Sequence, residues 1–191
     1  MRRVAVAAAA VMGAVVLAGC SDGEQANETL PSASTSGSAE PSETTPSLPP
    51  IGPADFPMPA EAREKTEAGA EAFLDYYLAV EARSTDGEPI RQLSRNCAVC
   101  SAVADQRDAD LDAGYTAQRG DYSITVIESF VRDDQANVIY TITAGGVRIF
   151  DPTGAPVPGR GSDAVSNLEL DAFMAWDPDQ RTWLMTESAV R

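Results

Sequence analysis

The sequence predicts an α+β domain, with helices packed on a curved antiparallel sheet. Three observations carry this. Apolar residues recur at helical spacing between Thr66 and Leu78, the pattern changes to strand-like alternation from Tyr122 onward, and Asp, Gly and Pro clusters interrupt that alternation. Helices first and strands afterwards is the order of an α+β layer arrangement.

Pro57-Met58-Pro59 leads into a helix expected over 60–83. Thr66, Ala70, Phe73, Leu74, Tyr77 and Leu78 share its buried face, and Glu64, Glu67, Glu71 and Asp75 form a solvated one. Ser84-Thr85-Asp86-Gly87 breaks the helix, and a short second helix over 89–96 offers Ile90 and Leu93 to the core. After Cys97-Ala98-Val99-Cys100, a helix-prone segment runs to about Gln118, with Val103, Leu111 and Tyr115 as its buried positions. A strand is expected over 122–132, a turn at Asp133-Asp134-Gln135, and a partner strand over 137–144 with Val138, Tyr140 and Ile142 on one face. Gly145-Gly146 permits a bend before a short strand over 147–150, and the Gly- and Pro-rich stretch 151–161 reads as an exposed loop. A long strand over 165–176 aligns Leu168, Leu170, Ala172, Met174 and Trp176. Asp177-Pro178-Asp179-Gln180 turns the chain, and the closing strand over 181–189 carries Trp183 and Met185. A curved antiparallel sheet around a long N-terminal helix is the architecture of the NTF2-like, or cystatin-like, cone.

The 191 residues include 29 acids against 14 bases, for a formal charge of −15. That acid excess argues against nucleic acid as a partner, because phosphate neutralisation needs clustered Lys and Arg. Histidine is absent. Ser-His-Asp and Cys-His triads, His-containing zinc sites and HExxH metalloprotease chemistry are therefore excluded.

The first twenty residues read as an address. Arg2 and Arg3 precede an apolar run from Val4 to Val16, which is shorter than the about 20 residues a bilayer span needs. This is the pattern of a signal peptide. Leu17-Ala18-Gly19-Cys20 resembles the lipobox of bacterial lipoproteins. The resemblance implies that Cys20 receives a diacylglycerol through its thiol, that residues 1–20 act as a lipoprotein signal, and that the protein is lipid-anchored on the outer face of the cytoplasmic membrane. Residues 21–56 hold seven Ser, four Thr, six Pro and six acids with no Lys or Arg. Such a composition buries too little apolar surface to offset ordering entropy, so it reads as a disordered acidic tether. Residues 57–191 form the domain, with 23 acids and 12 bases.

The landmarks of this domain together resemble a family of uncharacterised actinobacterial lipoproteins. They are Pro57-Met58-Pro59, the helix from Gly69-Ala70 and Phe73 to Tyr76-Tyr77-Leu78, Leu93-Ser94 before Cys97 and Cys100, the Gly120 onset of the sheet, and the Trp183 strand. The resemblance implies an NTF2-like fold and a membrane-anchored exterior location. It brings no catalytic residue.

Cys97 and Cys100 stand three apart in a chain expected outside the membrane, where thiols meet oxidising conditions. A structural disulfide is the first reading. Thiol–disulfide exchange is the sharper one, and it wants the pair after a buried parallel strand at a helix N-terminus. Asp108, Asp110 and Asp112 match the first positions of an EF-hand loop, but Ala113 stands where Gly is needed and Arg119 where the bidentate Glu belongs. They read instead as the solvated, fraying end of a helix. No metal site and no cofactor is expected. A cone can enclose a pocket, and the aromatic candidates for lining it are Phe73, Tyr77, Tyr115, Tyr140, Phe150, Trp176 and Trp183. Without histidine an enzyme here needs a carboxylate dyad or an Asp–Arg–Asp set, and no spacing nominates one. The expected function is a non-enzymatic binding module of the cell envelope, whose partner is an envelope protein or a small apolar ligand. A carboxylate-dependent hydrolase or isomerase is the alternative, a CxxC oxidoreductase a weaker one, and pairing of two copies through the sheet face a third possibility.

Overall fold

The computed structural model describes residues 50–191; the expected signal, Cys20 and nearly all of the expected tether lie outside the described residues. A 3-10 turn over Glu61–Arg63 precedes three helices, α1 (Glu67–Arg83), α2 (Glu88–Gln92) and α3 (Ala98–Asp112). Seven strands follow: β1 (Thr116–Arg119), β2 (Tyr122–Arg132), β3 (Gln135–Ala144), β4 (Val147–Phe150), β5 (Pro156–Ser162), β6 (Val165–Asp177) and β7 (Thr182–Val190). The expected α+β order is present.

The helix expected over 60–83 begins late. Thr66, placed by its spacing on the buried face, is instead the N-cap, and its hydroxyl accepts a hydrogen bond from Gly69 N at 3.0 Å. Such a cap contributes about 1 kcal/mol. The expected second helix ends at Gln92 because Leu93–Arg95 turn to pair with the edge of β7: Met185 N donates to Leu93 O at 3.0 Å, and Arg95 N to Met185 O at 2.8 Å. The segment expected to stay helical to Gln118 stops at Asp112. There Gly114 takes φ of 69°, Tyr115 N donates to Asp110 O, and Gly114 N donates to Leu111 O. That pattern is a Schellman cap, and it releases 116–119 to become β1.

The strands form two sheets, β2-β3-β6-β7 and β1-β4-β5, antiparallel throughout. They are halves of one bent ladder. Tyr122 pairs with Ala144 and Arg119 with Val147. Between them Gly120 N donates to Gly146 O and Gly145 N to Asp121 O. Gly120 and Gly145 make the bend possible, because a Cβ on Gly120 would lie 2.6 Å from the Cα of Gly145. The stretch 151–161, expected as a loop, supplies β5. Its Pro156 and Pro158 are compatible with an edge strand, which needs donors on one side only.

The core lies between α1 and the inner face of the larger sheet. Ala70, Phe73, Leu74, Tyr77 and Val80 meet Val138, Tyr140, Ala172, Met174 and Met185 there. Trp183 is fully buried; its indole donates to Glu64 O at 3.0 Å and stands edge-on to Trp176. The domain also extends further upstream than the boundary expected between 56 and 57. Ile51 is buried, Phe56 stacks on Tyr76, and the Tyr76 hydroxyl donates to Phe56 O at 2.9 Å.

Asp177 closes the β6–β7 turn. It accepts backbone N–H bonds from Asp179 at 2.9 Å and Gln180 at 2.8 Å, and pairs with Arg95. The Gln180 N–H, with Arg95 and the Asp179 N–H, outweighs burial and holds this carboxyl below the usual carboxylate range. Asp177→Ala should cost about 2–3 kcal/mol in urea unfolding at pH 7, from three lost charge-assisted hydrogen bonds in a buried turn. Because the folded pKa is depressed, that contribution is complete above the unfolded carboxylate value and disappears as pH falls through the folded one. A deficit that stays constant down to pH 2 would refute this role.

Candidate functional site

A cavity of about 230 Å³ opens between α1, α3 and the inner face of the larger sheet. α1 supplies Tyr77, Leu78 and Glu81, and α3 supplies Val99, Cys100 and Val103. The sheet contributes Tyr140, Ile142, Leu170, Met185 and Ser188. The space arises where the α1 stripe ends. Phe73 and Tyr77 fill the gap to the sheet, but one turn further on the same face presents Glu81, and β7 opposes it with the small Ser188.

Of the seven aromatic residues expected to line a pocket, Tyr77 and Tyr140 do so. The other five lie elsewhere. Phe73 is packed in the core, Trp176 and Trp183 close the opposite end of the cone against Glu64, and Tyr115 and Phe150 sit on or beside the smaller sheet. Glu81 was not among the expected site residues. Its signal is legible in the sequence: Phe73, Tyr77 and Glu81 stand at successive spacings of four, which places a carboxylate on an otherwise apolar stripe.

Glu81 has one third of its side chain exposed, and Oε1 lies 3.7 Å from Nη2 of the largely buried Arg107. Burial pushes the Glu81 carboxyl above its ordinary range, against the opposing pull of Arg107 and Arg119. Burial, with the Glu81 charge, also raises the Tyr77 phenol strongly. Tyr140 rises through burial, partly offset by a hydrogen bond with Ser188. Arg107 donates to Ser84 O at 2.6 Å, which fixes its guanidinium behind the cavity. The chemistry available is that of an apolar chamber with phenolic and alcoholic hydroxyls and one proton-exchanging carboxyl. Among its lining residues Glu81 is the one carboxylate, so no dyad is assembled there.

Cys97 and Cys100 are joined in a disulfide at the first turn of α3. Cys97 is the N-cap, its sulfur accepting from Cys100 N. Both residues are at least 97% buried, and the bond closes the first turn of α3 just after α2. Asp108 accepts from Gly87 N at 2.7 Å and pairs with Arg91, while Asp110 pairs with Arg160. These acids are engaged along α3 rather than arranged in a loop. On the outer face of the larger sheet, Phe130 stands opposite Asn137, which stands opposite Phe173.

The architecture is that of an NTF2-like cone. No protein-family model matches the chain, and no curated protein matches it. Among solved structures it is similar to the intermembrane space region of the chloroplast protein ARC6, at 15% identity and a TM-score of 0.50, over 65% of this chain and 95% of that one. It is also similar to a protein named Rd1NTF2_05, at 13% identity and a TM-score of 0.39 over 64% and 96% of the two chains. A putative calcium/calmodulin-dependent protein kinase type II association domain from Thiobacillus denitrificans matches at 16% identity and a TM-score of 0.38, over 63% and 91%. At these identities the likeness concerns the fold alone.

The raised Glu81 carboxyl has a measurable sign. Between the unfolded and folded pKa values the native state holds a proton that the unfolded chain has lost, so stability from this group falls as pH rises through that window. Wild type should therefore gain stability relative to Glu81→Gln as pH is lowered from 7 to below about 4, the unfolded Glu value. Urea unfolding of both proteins at each pH checks this. A stability difference that is flat, or that grows in the opposite direction, contradicts the assignment.

Proposed function

We propose that this chain is a lipid-anchored binding module on the outer face of the cytoplasmic membrane, whose cone holds a small, mostly apolar ligand with one polar group directed at Glu81. The observation that carries the binding reading is the cavity, with its apolar walls and the Tyr77, Glu81, Tyr140 and Ser188 groups at one side. Apolar walls with a few placed polar groups are the usual composition of a ligand pocket. At about 230 Å³ the chamber lies just below the usual size range, which favours ligands of one or two rings. The lipobox-like Leu17-Ala18-Gly19-Cys20, the Ser/Thr/Pro-rich stretch after it, and the resemblance to actinobacterial lipoproteins support the anchor and the location. Two acyl chains hold a protein to a bilayer much more firmly than one.

A second reading, acid–base catalysis on the bound ligand, is favoured by one observation: the carboxyl in the chamber has a raised pKa. The binding reading stands ahead of it because the chamber brings no second ionisable carboxylate to Glu81. Conversion of a bound ligand by wild type and not by Glu81→Gln would move the assignment to an enzyme.

Binding is checked with 2-naphthol followed by saturation-transfer NMR on the purified full chain. Wild type should bind it saturably. Val103→Trp, which fills the chamber from α3, should weaken binding at least tenfold while circular dichroism stays native. No saturable binding, or binding indifferent to Val103→Trp, would sink the reading. The anchor is checked by feeding producing cells an alkyne fatty acid. Label should appear on wild type and be absent from Cys20→Ala, which should leave the membrane fraction; label retained on Cys20→Ala defeats it.

A further inference from the structure

The chamber is polar on one side and aliphatic on the other. α1 packs mainly on β2 and β3, whereas α3 packs on β7. Tyr77 and Glu81 on α1 and Tyr140 on β3 therefore gather the polar groups on the α1 side, and the Ser188 hydroxyl is bonded with Tyr140. On the α3 side the lining is apolar, with Val99 and Val103 one helical turn apart. Val99 lines the chamber and yet is 46% exposed, so the α3 side is an exit rather than a closed wall.

The apolar surface continues past that exit. Leu170, a lining residue on β6, pairs with Val190 on β7, and Ile142, another lining residue, pairs with Leu168. Side chains in register share a sheet face, so Leu168 and Val190 extend the chamber's own wall. Val190 is 65% exposed and Leu168 is half-buried. Exposed aliphatic groups continuous with an apolar cavity enlarge the surface it offers to a ligand.

Two further observations define that ligand. A cavity of about 150 Å³ admits one benzene ring. A chamber of about 230 Å³ therefore holds the head and first part of an alkyl chain, and the remainder must leave by the aliphatic exit. No cation lines the chamber, and Arg107 behind it is committed to Ser84 O and to Glu81. A carboxylate head would bury a second negative charge beside Glu81 with no cation to pair it, which is costly. A hydroxyl can donate to Glu81 and accept from a phenol.

We propose that the ligand is a single-chain amphiphile with an uncharged hydroxyl head, the head meeting Glu81 and the tail leaving between α3 and β7 over Val99, Leu168 and Val190. This rests on the binding function proposed above and adds the class of molecule bound.

The test uses the full chain carrying Cys20→Ala, so that no acyl group of its own and no detergent enters the measurement. At pH 8 the protein is titrated by calorimetry into 1-hexanol, 1-octanol, 1-decanol and 1-dodecanol, each below its solubility, and into dodecanoate and 2-naphthol. Affinity should rise through 1-dodecanol, by about threefold for each methylene covered. Dodecanoate should bind at least tenfold more weakly than 1-dodecanol. Val190→Asp should weaken 1-dodecanol at least tenfold and 2-naphthol less than twofold, with native circular dichroism. Phe130→Asp, an equal charge change at an exposed residue on the outer face of the sheet, should bind 1-dodecanol as the parent does. Affinity that stops rising at 1-octanol, dodecanoate bound as tightly as 1-dodecanol, or equal losses in Val190→Asp and Phe130→Asp would each overturn the proposal. If 2-naphthol still binds in those cases, the chamber reading stands without this ligand class; if neither 2-naphthol nor any alcohol binds, both fall.

Discussion

The structure depends on one packing constraint: a single apolar stripe on α1 must be covered by the inner face of a sheet that bends around it. Phe73, Leu74 and Val80 have essentially no exposed surface, and each such side chain contributes about 1.5–3 kcal/mol through burial. A flat sheet would cover only part of the helix. The close approach of Gly120 and Gly145, and the register shifts between Val126 and Glu128 and between Phe173 and Met174, let the strands curve. The buried Trp183 then ties the closing strand to the segment before α1 through Glu64 O.

The same constraint creates the cavity. Under α1, the stripe runs out of large apolar residues at Glu81 while the sheet continues, and the space left over becomes a chamber roofed by α3. The disulfide at the α3 N-terminus bears on it, since Cys100 is one of its lining residues. Arg107 and Arg119 tie α3 and β1 to α1, because both donate to the carbonyl of Ser84 at its end.

Much of this was legible in the sequence, and the omissions have physical reasons. The strand alternation survives into the structure most plainly in β2, which keeps one more buried and one more open face along most of its length, whereas Thr182–Met185 at the start of β7 are buried on both faces. The smaller sheet was hidden. β1 follows its helix after three residues, and the Schellman cap built on the positive φ of Gly114 separates them. β5 contains Pro and Gly, residues that usually mark loops, and is held by pairing with β4 and by the Arg160–Asp110 ion pair to α3. The pocket was expected from aromatic residues, yet large aromatics fill space, as Phe73, Trp176 and Trp183 do. The informative residue was Glu81, an acid on the wrong face of its helix.

The central claim is that the chamber under α1 is open and accepts an apolar guest. Diffraction from crystals of the purified protein under xenon pressure tests it most directly, since a dry apolar cavity takes up xenon. The account predicts a xenon peak between Tyr140, Leu170 and Val103. Side chains collapsed into that space, with no xenon bound, would contradict it.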